Sequence, residues 1–264
     1  MLYLVGTPIG NLGDITRRAI EVLGEVDLVA CEDTRRTGVL LANLGIKKPL
    51  VSYYKHKEQE GSEYLVGKMQ EGLSVALVSD AGMPVISDPG AVLVNKAREA
   101  GIPISVVPGP SAVASAVALA GCDKGFVFVG FLSPKQTDAR RQLTPFVNVP
   151  LPLVLYCASH DIESTFGFLH EFLGDREVVV VKELTKLHEQ VIPCKLSDGV
   201  DFDTHGEFVL IVHPKPASDA TNLSAKEHLL KYLEMGVDKK EAVKLVAKER
   251  GVAKDKIYKV MLEI

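Results

Sequence analysis

Four glycine- and proline-rich loops carry the polar side chains of this sequence that could do chemistry. They occupy residues 6–14, 31–37, 79–90 and 106–115, and each follows a short apolar run of strand length. In open α/β sheets, ligands bind beyond the carboxyl ends of the strands. We therefore expect these four loops to converge on one binding site.

The first loop, GTPIGNLGD, has the glycine spacing GxxxGxxG. A dinucleotide-binding turn needs GxGxxG, and a P-loop needs Gly-Lys-Ser/Thr. Pro8 also removes one backbone amide that could bind a phosphate. This spacing excludes a nicotinamide dehydrogenase and leaves two interpretations: an unusual nucleotide loop, or a tight turn between a strand and a helix.

The second and third loops contain the charged groups. CEDTRRT (31–37) could recognise a polar substrate, or Asp33 or Thr34 could simply cap a helix. SDAGMPVISDPG (79–90) is long and irregular and holds two carboxylates, Asp80 and Asp88. Ordering such a loop costs conformational entropy, so binding explains it better than connection does. No histidine or further acid stands near enough in the sequence to suggest a metal site.

The fourth loop, VVPGPSAVAS (106–115), ends in small residues at the start of a helix. Small residues let a ligand approach the backbone closely. We therefore expect a ligand to contact this loop.

The pattern of elements around the loops predicts an α/β protein with a small helical appendage. Apolar runs alternate with helical patterns up to about residue 120, which predicts a mostly parallel sheet. Beyond residue 125, strands outnumber helices, which predicts a second, mixed sheet. We predict an N-terminal α/β domain (1–122), a second α/β domain (123–216), a linker at 214–218 and a helical C-terminal domain (222–264). The predicted strands are 2–6, 27–31, 50–54, 75–79, 104–107, 126–131, 151–158, 177–181, 189–194 and 207–213, and the predicted helices of the first two domains include 15–26, 135–147 and 162–173.

The C-terminal segment shows helix boundaries and a basic charge. Ser224 and Glu227 form a capping box, Gly236 ends the first helix, Asp238 caps the second and Gly251 ends it. Residues 222–264 contain 10 Lys and Arg against 7 Asp and Glu, a net charge of +3, and the other residues carry −7. Two interpretations stay open for this helix-turn-helix-like unit: binding of RNA or a partner, or a structural helical cap.

Composition limits the class of protein. The chain has 264 residues, of which 47% are apolar, and a net charge of −4, typical of a globular protein. The four cysteines match neither a zinc pattern nor a disulfide framework, which indicates a reducing cytoplasm. We expect no signal peptide and no membrane span. The mild acidity alone argues against a nucleic-acid partner, but the separation of charge along the chain removes that objection.

Taken together, the loops resemble one family. LYLVGTPIGNLGDIT, CEDTR, LVSDAGMPVISDPG and VVPGPSA, in this order, are similar to the tetrapyrrole-methylase superfamily over residues 2 to about 213. Within it, EDTR and the later KELTKLHE resemble the branch that methylates small-subunit ribosomal RNA. The C-terminal helical segment resembles the domain appended in that branch.

The resemblance implies a cofactor, a substrate and an assembly. The family binds S-adenosylmethionine in a cleft between two α/β domains, and the branch methylates the ribose 2′-hydroxyl of a cytidine in the decoding region of 16S rRNA, usually as a homodimer. We therefore expect rRNA or a 30S particle as the partner. The positions that match cofactor contacts are Pro8, Ile9, Asp80, Ala81, Gly82, Met83, Pro84, Val85, Ser111, Ala112, Tyr156 and Leu184.

The resemblance leaves the catalytic base open. Candidates are Glu183, Lys186, His56 and Asp33, with Glu183 preferred, and each could instead be a surface charge or a helix cap. Arg35 and Arg36, together with Lys186, are candidates for contacts with RNA phosphates.

The chain departs from the family pattern in its second domain. It has Tyr156-Cys157-Ala158-Ser159-His160-Asp161 where the family commonly has Tyr-Glu-x-x-His-Arg, and Lys57 where the family has Asn. These changes leave the loops on the cofactor side intact and affect the substrate side. Two other functions therefore stay open: methylation of a tetrapyrrole such as a precorrin, and a ribosome-binding module without catalysis.

Overall fold

The computed structural model describes residues 1–215, 224–234, 237–262 and 264. The chain forms two compact units, Met1–Pro214 and Lys215–Ile264. Most of the predicted linker, together with the predicted helix end at Gly236, lies outside the described residues.

The first sheet is parallel, as predicted. Its five strands lie in the spatial order β3-β2-β4-β1-β5, and every pairing between them is parallel. β1 is therefore flanked by β4 and β5, and the loops that follow these three strands emerge side by side. The strands are Leu2–Val5 (β1), Leu28–Cys31 (β2), Leu50–Ser52 (β3), Val75–Leu77 (β4) and Ile104–Val107 (β5).

Five helices accompany this sheet. In the first helix, Arg17–Glu25, the hydroxyl of Thr16 caps the N-terminus by accepting from the Ala19 amide at 3.1 Å. Its buried residues Ala19, Val22 and Leu23 recur at helical spacing and pack into the core with the strands. The helices are Arg17–Glu25 (α1), Thr34–Asn43 (α2), Glu58–Gln70 (α3), Ala91–Glu99 (α4) and Ala112–Leu119 (α5).

The second sheet is mixed, which confirms the predicted fold class. Its order is β6-β7-β10-β8-β9, with β6 and β7 parallel and the other pairs antiparallel. The strands are Val127–Phe131 (β6), Leu153–Ala158 (β7), Glu177–Lys182 (β8), Gln190–Lys195 (β9) and Glu207–Val212 (β10).

Two helices, Gln136–Leu143 (α6) and Ile162–Leu173 (α7), contribute to the core of this second sheet. The helix predicted over 135–147 is shorter than expected, because α6 ends at Leu143 and continues as a 3₁₀ turn, Thr144–Phe146. Pro145 has no amide hydrogen and cannot continue the α-helical hydrogen-bond ladder. The domain boundary near residue 122 stays a prediction; α5 ends at Leu119 and β6 begins at Val127.

The second unit contains the helices Ala225–Glu234 (α8), Lys239–Glu249 (α9) and Lys254–Met261 (α10). The capping box is present: the Glu227 amide donates to Ser224 Oγ at 3.2 Å, and the Ser224 amide donates to Glu227 Oε2 at 2.7 Å. Asp238 caps α9 as predicted. Across the described residues, none of the helices is long and apolar enough to cross a membrane.

Candidate functional site

A cleft of about 390 Å³ opens where the loops of the first sheet face the second sheet. One wall comes from the first, third and fourth loops. The other wall comes from β6, β7, β10 and the segment that follows β8. Its lining residues are Ile9, Arg36, Asp80, Ala81, Gly82, Met83, Ile86, Ser87, Asp88, Ser111, Ala112, Phe131, Tyr156, Cys157, Ala158, Leu184, Glu207, Phe208 and Val209.

The first and third loops are joined by a short backbone pairing. The Thr7 amide donates to the Gly82 carbonyl at 2.9 Å, and the Gly82 amide donates back to the Thr7 carbonyl at 3.1 Å. The buried hydroxyl of Thr7 lies 3.2 Å from the Ser79 carbonyl and donates to the same loop. This pairing fixes Gly82 and its neighbours on the cleft wall.

The first and fourth loops cross at two glycines. A Cβ atom added at Gly109 would lie 2.9 Å from the Cα of Gly6, and one added at Gly6 would lie 2.7 Å from the Cα of Gly109. Non-bonded carbon atoms normally stay about 3.5–4.0 Å apart. We expected a ligand to approach the small residues of the fourth loop, but Gly109 is approached by the backbone of the first loop. Ser111 and Ala112, further along, face the cleft.

The third loop is held in an uncommon backbone conformation. Val85 and Ser87 have φ angles of 77° and 65°, in the left-handed region that non-glycine residues rarely adopt. The loop ends at Gly90, whose amide donates to Glu58 Oε1 at 2.8 Å. Three residues before that end, Ser87 Oγ would lie 3.0 Å from a Cβ added at Gly130 in β6, so the loop rests directly on the second sheet.

Most charged groups around the cleft are paired with an opposite charge. Asp80 Oδ2 lies 3.2 Å from Arg36 Nη1, and Glu207 Oε2 lies 2.9 Å from Lys186 Nζ. Asp88 differs from these groups in its surroundings, which disfavour the charged form. Burial has the largest effect and the nearby Glu32 and Asp80 carboxylates add to it, and together they raise the pKa of Asp88 to about 6.

A second depression of about 440 Å³ adjoins the cleft and is more open. It shares Arg36 and Asp80 with the cleft and is otherwise formed by residues 32–35 and Ser52. Asp33 caps α2 here, with the Arg35 amide 2.8 Å from its Oδ1 and Arg35 Nη2 2.8 Å from its Oδ2. The bond from the Arg35 side chain lowers the pKa of Asp33. The carboxylate is therefore occupied as a helix cap, one of the two roles considered for it.

Glu183, the preferred base, is not among the described residues that line the cleft. Its Oε1 accepts from Lys186 Nζ at 2.9 Å and from the Glu207 amide at 3.0 Å. Burial alone would raise the pKa of Glu183, but the Lys186 ammonium and the Glu207 amide outweigh burial and lower it. Glu183 has a φ of 51°, and a Cβ added at Gly206 would lie 2.6 Å from its Oε1. Its carboxylate therefore organises the turn after β8.

Most of the predicted cofactor contacts line the cleft, whereas the candidate bases lie elsewhere among the described residues. Nine of the twelve predicted cofactor contacts line the cleft, whereas Pro8, Pro84 and Val85 are not among its lining residues in the described part of the chain. Of the four candidate bases, Asp33 lines the outer depression, Glu183 and Lys186 form the network beside β10, and His56 is exposed on the 3₁₀ turn Lys55–Lys57. Arg36 lines both cavities, and Arg35 lines the outer one.

Sequence reasoning missed much of the second wall. Tyr156, Cys157 and Ala158 of β7 pair with Val209, Phe208 and Glu207 of β10, so two distant segments share that wall. The motif around Tyr156 pointed to β7 but gave no register for β10. Asp88 was noticed as a carboxylate of the third loop but received no role.

Comparisons with known proteins agree with this architecture. Residues 1–199 match the family described as tetrapyrrole (corrin/porphyrin) methylases. The "Ribosomal RNA small subunit methyltransferase I" of Coprothermobacter proteolyticus is 43% identical over 214 residues, 81% of this chain and 98% of that protein. The protein of that name in Escherichia coli O157:H7 is 41% identical over 270 residues, 99% of this chain and 94% of that protein. A solved uroporphyrin-III C-methyltransferase from Thermus thermophilus matches 80% of this chain and 93% of its own, with a TM-score of 0.55 and 22% identity, and so shares the fold.

Proposed function

The chain belongs to the tetrapyrrole (corrin/porphyrin) methylase family, and from this premise we propose that it methylates small-subunit ribosomal RNA with S-adenosylmethionine as the methyl donor. In its finer form, the proposal is transfer to the ribose 2′-hydroxyl of a cytidine in the decoding region. The choice of substrate depends on one observation. The chain is 41% identical, over 99% of its length, to a relative whose name gives that substrate.

The cleft has the size and charge that the donor requires. Ligand clefts for small molecules measure about 300–1,000 Å³, and this one measures about 390 Å³. Its lining includes the carboxylates Asp80, Asp88 and Glu207 against the single guanidinium of Arg36. An acidic lining suits a cationic sulfonium donor and does not suit an anionic phosphate, consistent with a first loop that lacks GxGxxG.

The residues proposed to hold the donor are those of the predicted set that line the cleft. Ile9 and Leu184 offer apolar surface, and Ala112 allows close approach at the N-terminus of α5. The backbone of residues 80–83 and the Asp80 carboxylate offer acceptors for amino and hydroxyl groups. When bound, S-adenosylmethionine supplies a methyl group attached to a positively charged sulfur. Fixing a hydroxyl in line with such a methyl group accelerates transfer through orientation.

The outer depression is proposed to receive the RNA backbone. Arg35 is 89% exposed and Arg36 is 73% exposed as side chains, and both stand in the first turn of α2 beside the cleft. A guanidinium group carries five N–H donors, so Arg35 can bind a phosphate oxygen through Nη1 while its Nε and Nη2 donate to Asp33 at 3.1 Å and 2.8 Å. Because Arg36 also contacts Asp80, it connects the RNA side of the site to the donor side.

The cellular setting follows from the same proposal. We place the protein in the cytoplasm, where ribosomal subunits are assembled, and we propose a homodimer. A homodimer would present the basic C-terminal unit twice. We expect two basic surfaces to bind a folded 30S particle more tightly than a loose RNA strand.

The test of the function is methyl transfer by the purified protein. Small-subunit particles from cells without the active gene are incubated with labelled S-adenosylmethionine, and the rRNA is analysed by mass spectrometry. We expect one methylated cytidine ribose in the decoding region. Uroporphyrinogen is offered in parallel: its methylation in place of the RNA would favour the tetrapyrrole alternative. Donor binding without turnover on any particle would favour the binding module.

Filling the cleft should weaken donor binding. Ala112→Phe places a ring on the wall formed by α5, and we expect the Kd for S-adenosylmethionine, measured by calorimetry, to rise at least about 30-fold, equivalent to about 2 kcal/mol. Ala118→Phe is the matched control, since Ala118 is exposed on the same helix. Equal affinities in the two variants would show that the donor does not occupy this cleft.

A further inference from the structure

Two large apolar side chains are exposed inside the cleft, although much of its remaining lining is charged or polar. Phe131 of β6 is 55% exposed and Ile86 of the third loop is 47% exposed, and both line the cleft. Exposed apolar groups within a ligand cleft belong to its binding surface. Neither residue is among those proposed to hold the donor, so this apolar surface is available to another ligand.

A β-bulge turns Phe131 toward the cleft. The register between β6 and β7 shifts between Phe128 and Gly130, which leaves Val129 as an extra residue, and Gly130 has a φ of 77°. In a regular strand Phe131 would share a face with Val129, which packs into the core that α6 and α7 cover. The bulge reverses the alternation. Phe131 therefore lies opposite Tyr156 on the cleft face, with the two ring centroids 5.3 Å apart.

The third loop brings Ile86 to the same part of the cleft. Ile86 stands between Val85 and Ser87, the two residues of this loop in the left-handed conformation. Such residues are unfavourable and persist where the surroundings enforce them, commonly at functional sites. Ser87 in turn reaches Gly130, the residue before Phe131. Two separate distortions of the backbone, one on each wall, thus place an apolar side chain beside the seam between the sheets.

The proposed reaction brings a flat, uncharged group into this cleft. In a nucleotide, the ribose carbon that bears the 2′-hydroxyl adjoins the carbon that bears the base. The base must therefore lie close to the reacting oxygen. Proteins that recognise single-stranded RNA stack its splayed-out bases on aromatic side chains, and enzymes that act on a nucleotide inside a helix extrude it first. The acidic lining disfavours a phosphate at the same place.

We propose that the base of the target nucleotide stacks on the ring of Phe131 and contacts Ile86, an inference that rests on the proposed function. The neighbouring phosphates then bind Arg35 and Arg36 at the outer depression, which shares Arg36 with the cleft. The ribose lies between these two contacts, with its 2′-oxygen directed at the donor. Every base has a face that can stack, so this contact positions the nucleotide and does not select cytosine.

The central experiment measures methyl transfer to 30S particles by variants of Phe131. We expect Phe131→Ala and Phe131→Leu to lower kcat/KM about 30-fold, equivalent to about 2 kcal/mol, because leucine is apolar but has no flat ring. Phe131→Tyr keeps the ring and should stay within about threefold of the wild type, as should the Kd of all three variants for S-adenosylmethionine. Phe126→Ala is the matched control, since Phe126 is also exposed but is not among the described residues that line the cleft.

Fluorescence supplies a readout that a purely structural role would not change. The chain contains no tryptophan, so Phe131→Trp introduces a single indole that can still stack. When this residue is incorporated as 5-hydroxytryptophan, its emission can be followed in the presence of ribosomal proteins. With S-adenosylhomocysteine in place of the donor, added 30S particles should quench this emission through stacking. The same fluorophore in Phe126→Trp should keep its emission.

The contribution of Ile86 is tested by a double-mutant cycle. We expect Ile86→Ala to lower kcat/KM about fivefold. The variant that combines it with Phe131→Ala should lose less than the product of the two single losses, because both side chains act on one base. Losses that multiply would show that Ile86 does not share a ligand with Phe131.

The outcomes separate this inference from the proposed function. If the wild type methylates the rRNA while Phe131→Ala or Phe131→Leu keeps its kcat/KM, the ring does not stack on the substrate and the function stands. If Phe131→Ala loses donor affinity in step with its activity, the ring belongs to the donor site and the inference fails. Emission from Phe131→Trp that is unchanged by 30S particles would also overturn the inference. Absence of methyl transfer by the wild type would overturn the function itself.

Discussion

Gly109→Ala is expected to lower the free energy of unfolding by about 3 kcal/mol, the upper end of the usual cost of overpacking. The new Cβ would lie 2.9 Å from both the Cα and the carbonyl oxygen of Gly6. Both are backbone atoms of a loop that is itself paired to Gly82 through Thr7, so no side chain can rotate away. The loops have to separate, and we expect S-adenosylmethionine binding to weaken with them.

Urea denaturation measures the loss of stability, and calorimetry measures the loss of donor affinity. Gly67→Ala is the matched control: Gly67 lies inside α3, and nothing is within 4 Å of an added Cβ. Because alanine is favoured over glycine in helices, the control should gain about 1 kcal/mol. If Gly109→Ala is as stable as the wild type, the two loops do not cross as closely as the 2.9 Å distance implies.

The first wall of the site could be predicted because one rule of sheet architecture was sufficient. Loops that follow parallel strands emerge at the same edge, so the motifs after β1, β4 and β5 had to converge whatever their order. The observed order places β1 between β4 and β5, which makes these loops direct neighbours. The loop after β2 lies one strand further out, and there the outer depression forms.

The second wall could not be predicted to the same depth, because antiparallel register is not encoded in a local motif. Cys157 and Phe208 are paired in the sheet, yet they are about fifty residues apart in the sequence. Only the folded sheet shows that Glu207 reaches the cleft.

The sequence did not indicate the backbone direction at Glu183, whose role as the base stays a prediction. KELTK suggested a carboxylate near the donor, but the left-handed turn at Glu183 directs that side chain toward Lys186 and Gly206. The signal available in the sequence was Gly206, a glycine whose missing Cβ makes room for the Glu183 carboxylate. Asp33 was recognisable as a helix cap, and the structure has it in that role.

Asp88→Asn should make the protein more stable at neutral pH. The pKa of Asp88 is about 6 in the folded protein, against about 3.9 in an unfolded chain. Since the folded state binds this proton more tightly, the contribution of Asp88 to stability is greatest below about pH 4 and declines as the pH rises through about 6. The full difference would be about 3 kcal/mol, and partial solvent screening reduces the expected gain at pH 8 to about 1–2 kcal/mol.

The measurement is urea denaturation of the wild type and of Asp88→Asn between pH 4 and pH 8. The two curves should coincide near pH 4, where Asp88 is protonated and uncharged like asparagine, and diverge above pH 6 with the variant more stable. Asp33→Asn is the control of opposite sign, because Arg35 lowers the pKa of Asp33 and asparagine is an equally good helix cap. That variant should be less stable than the wild type at neutral pH and should approach it as the pH falls. A gain in Asp88→Asn that does not depend on pH would mean that the effect comes from packing and not from the charge of Asp88.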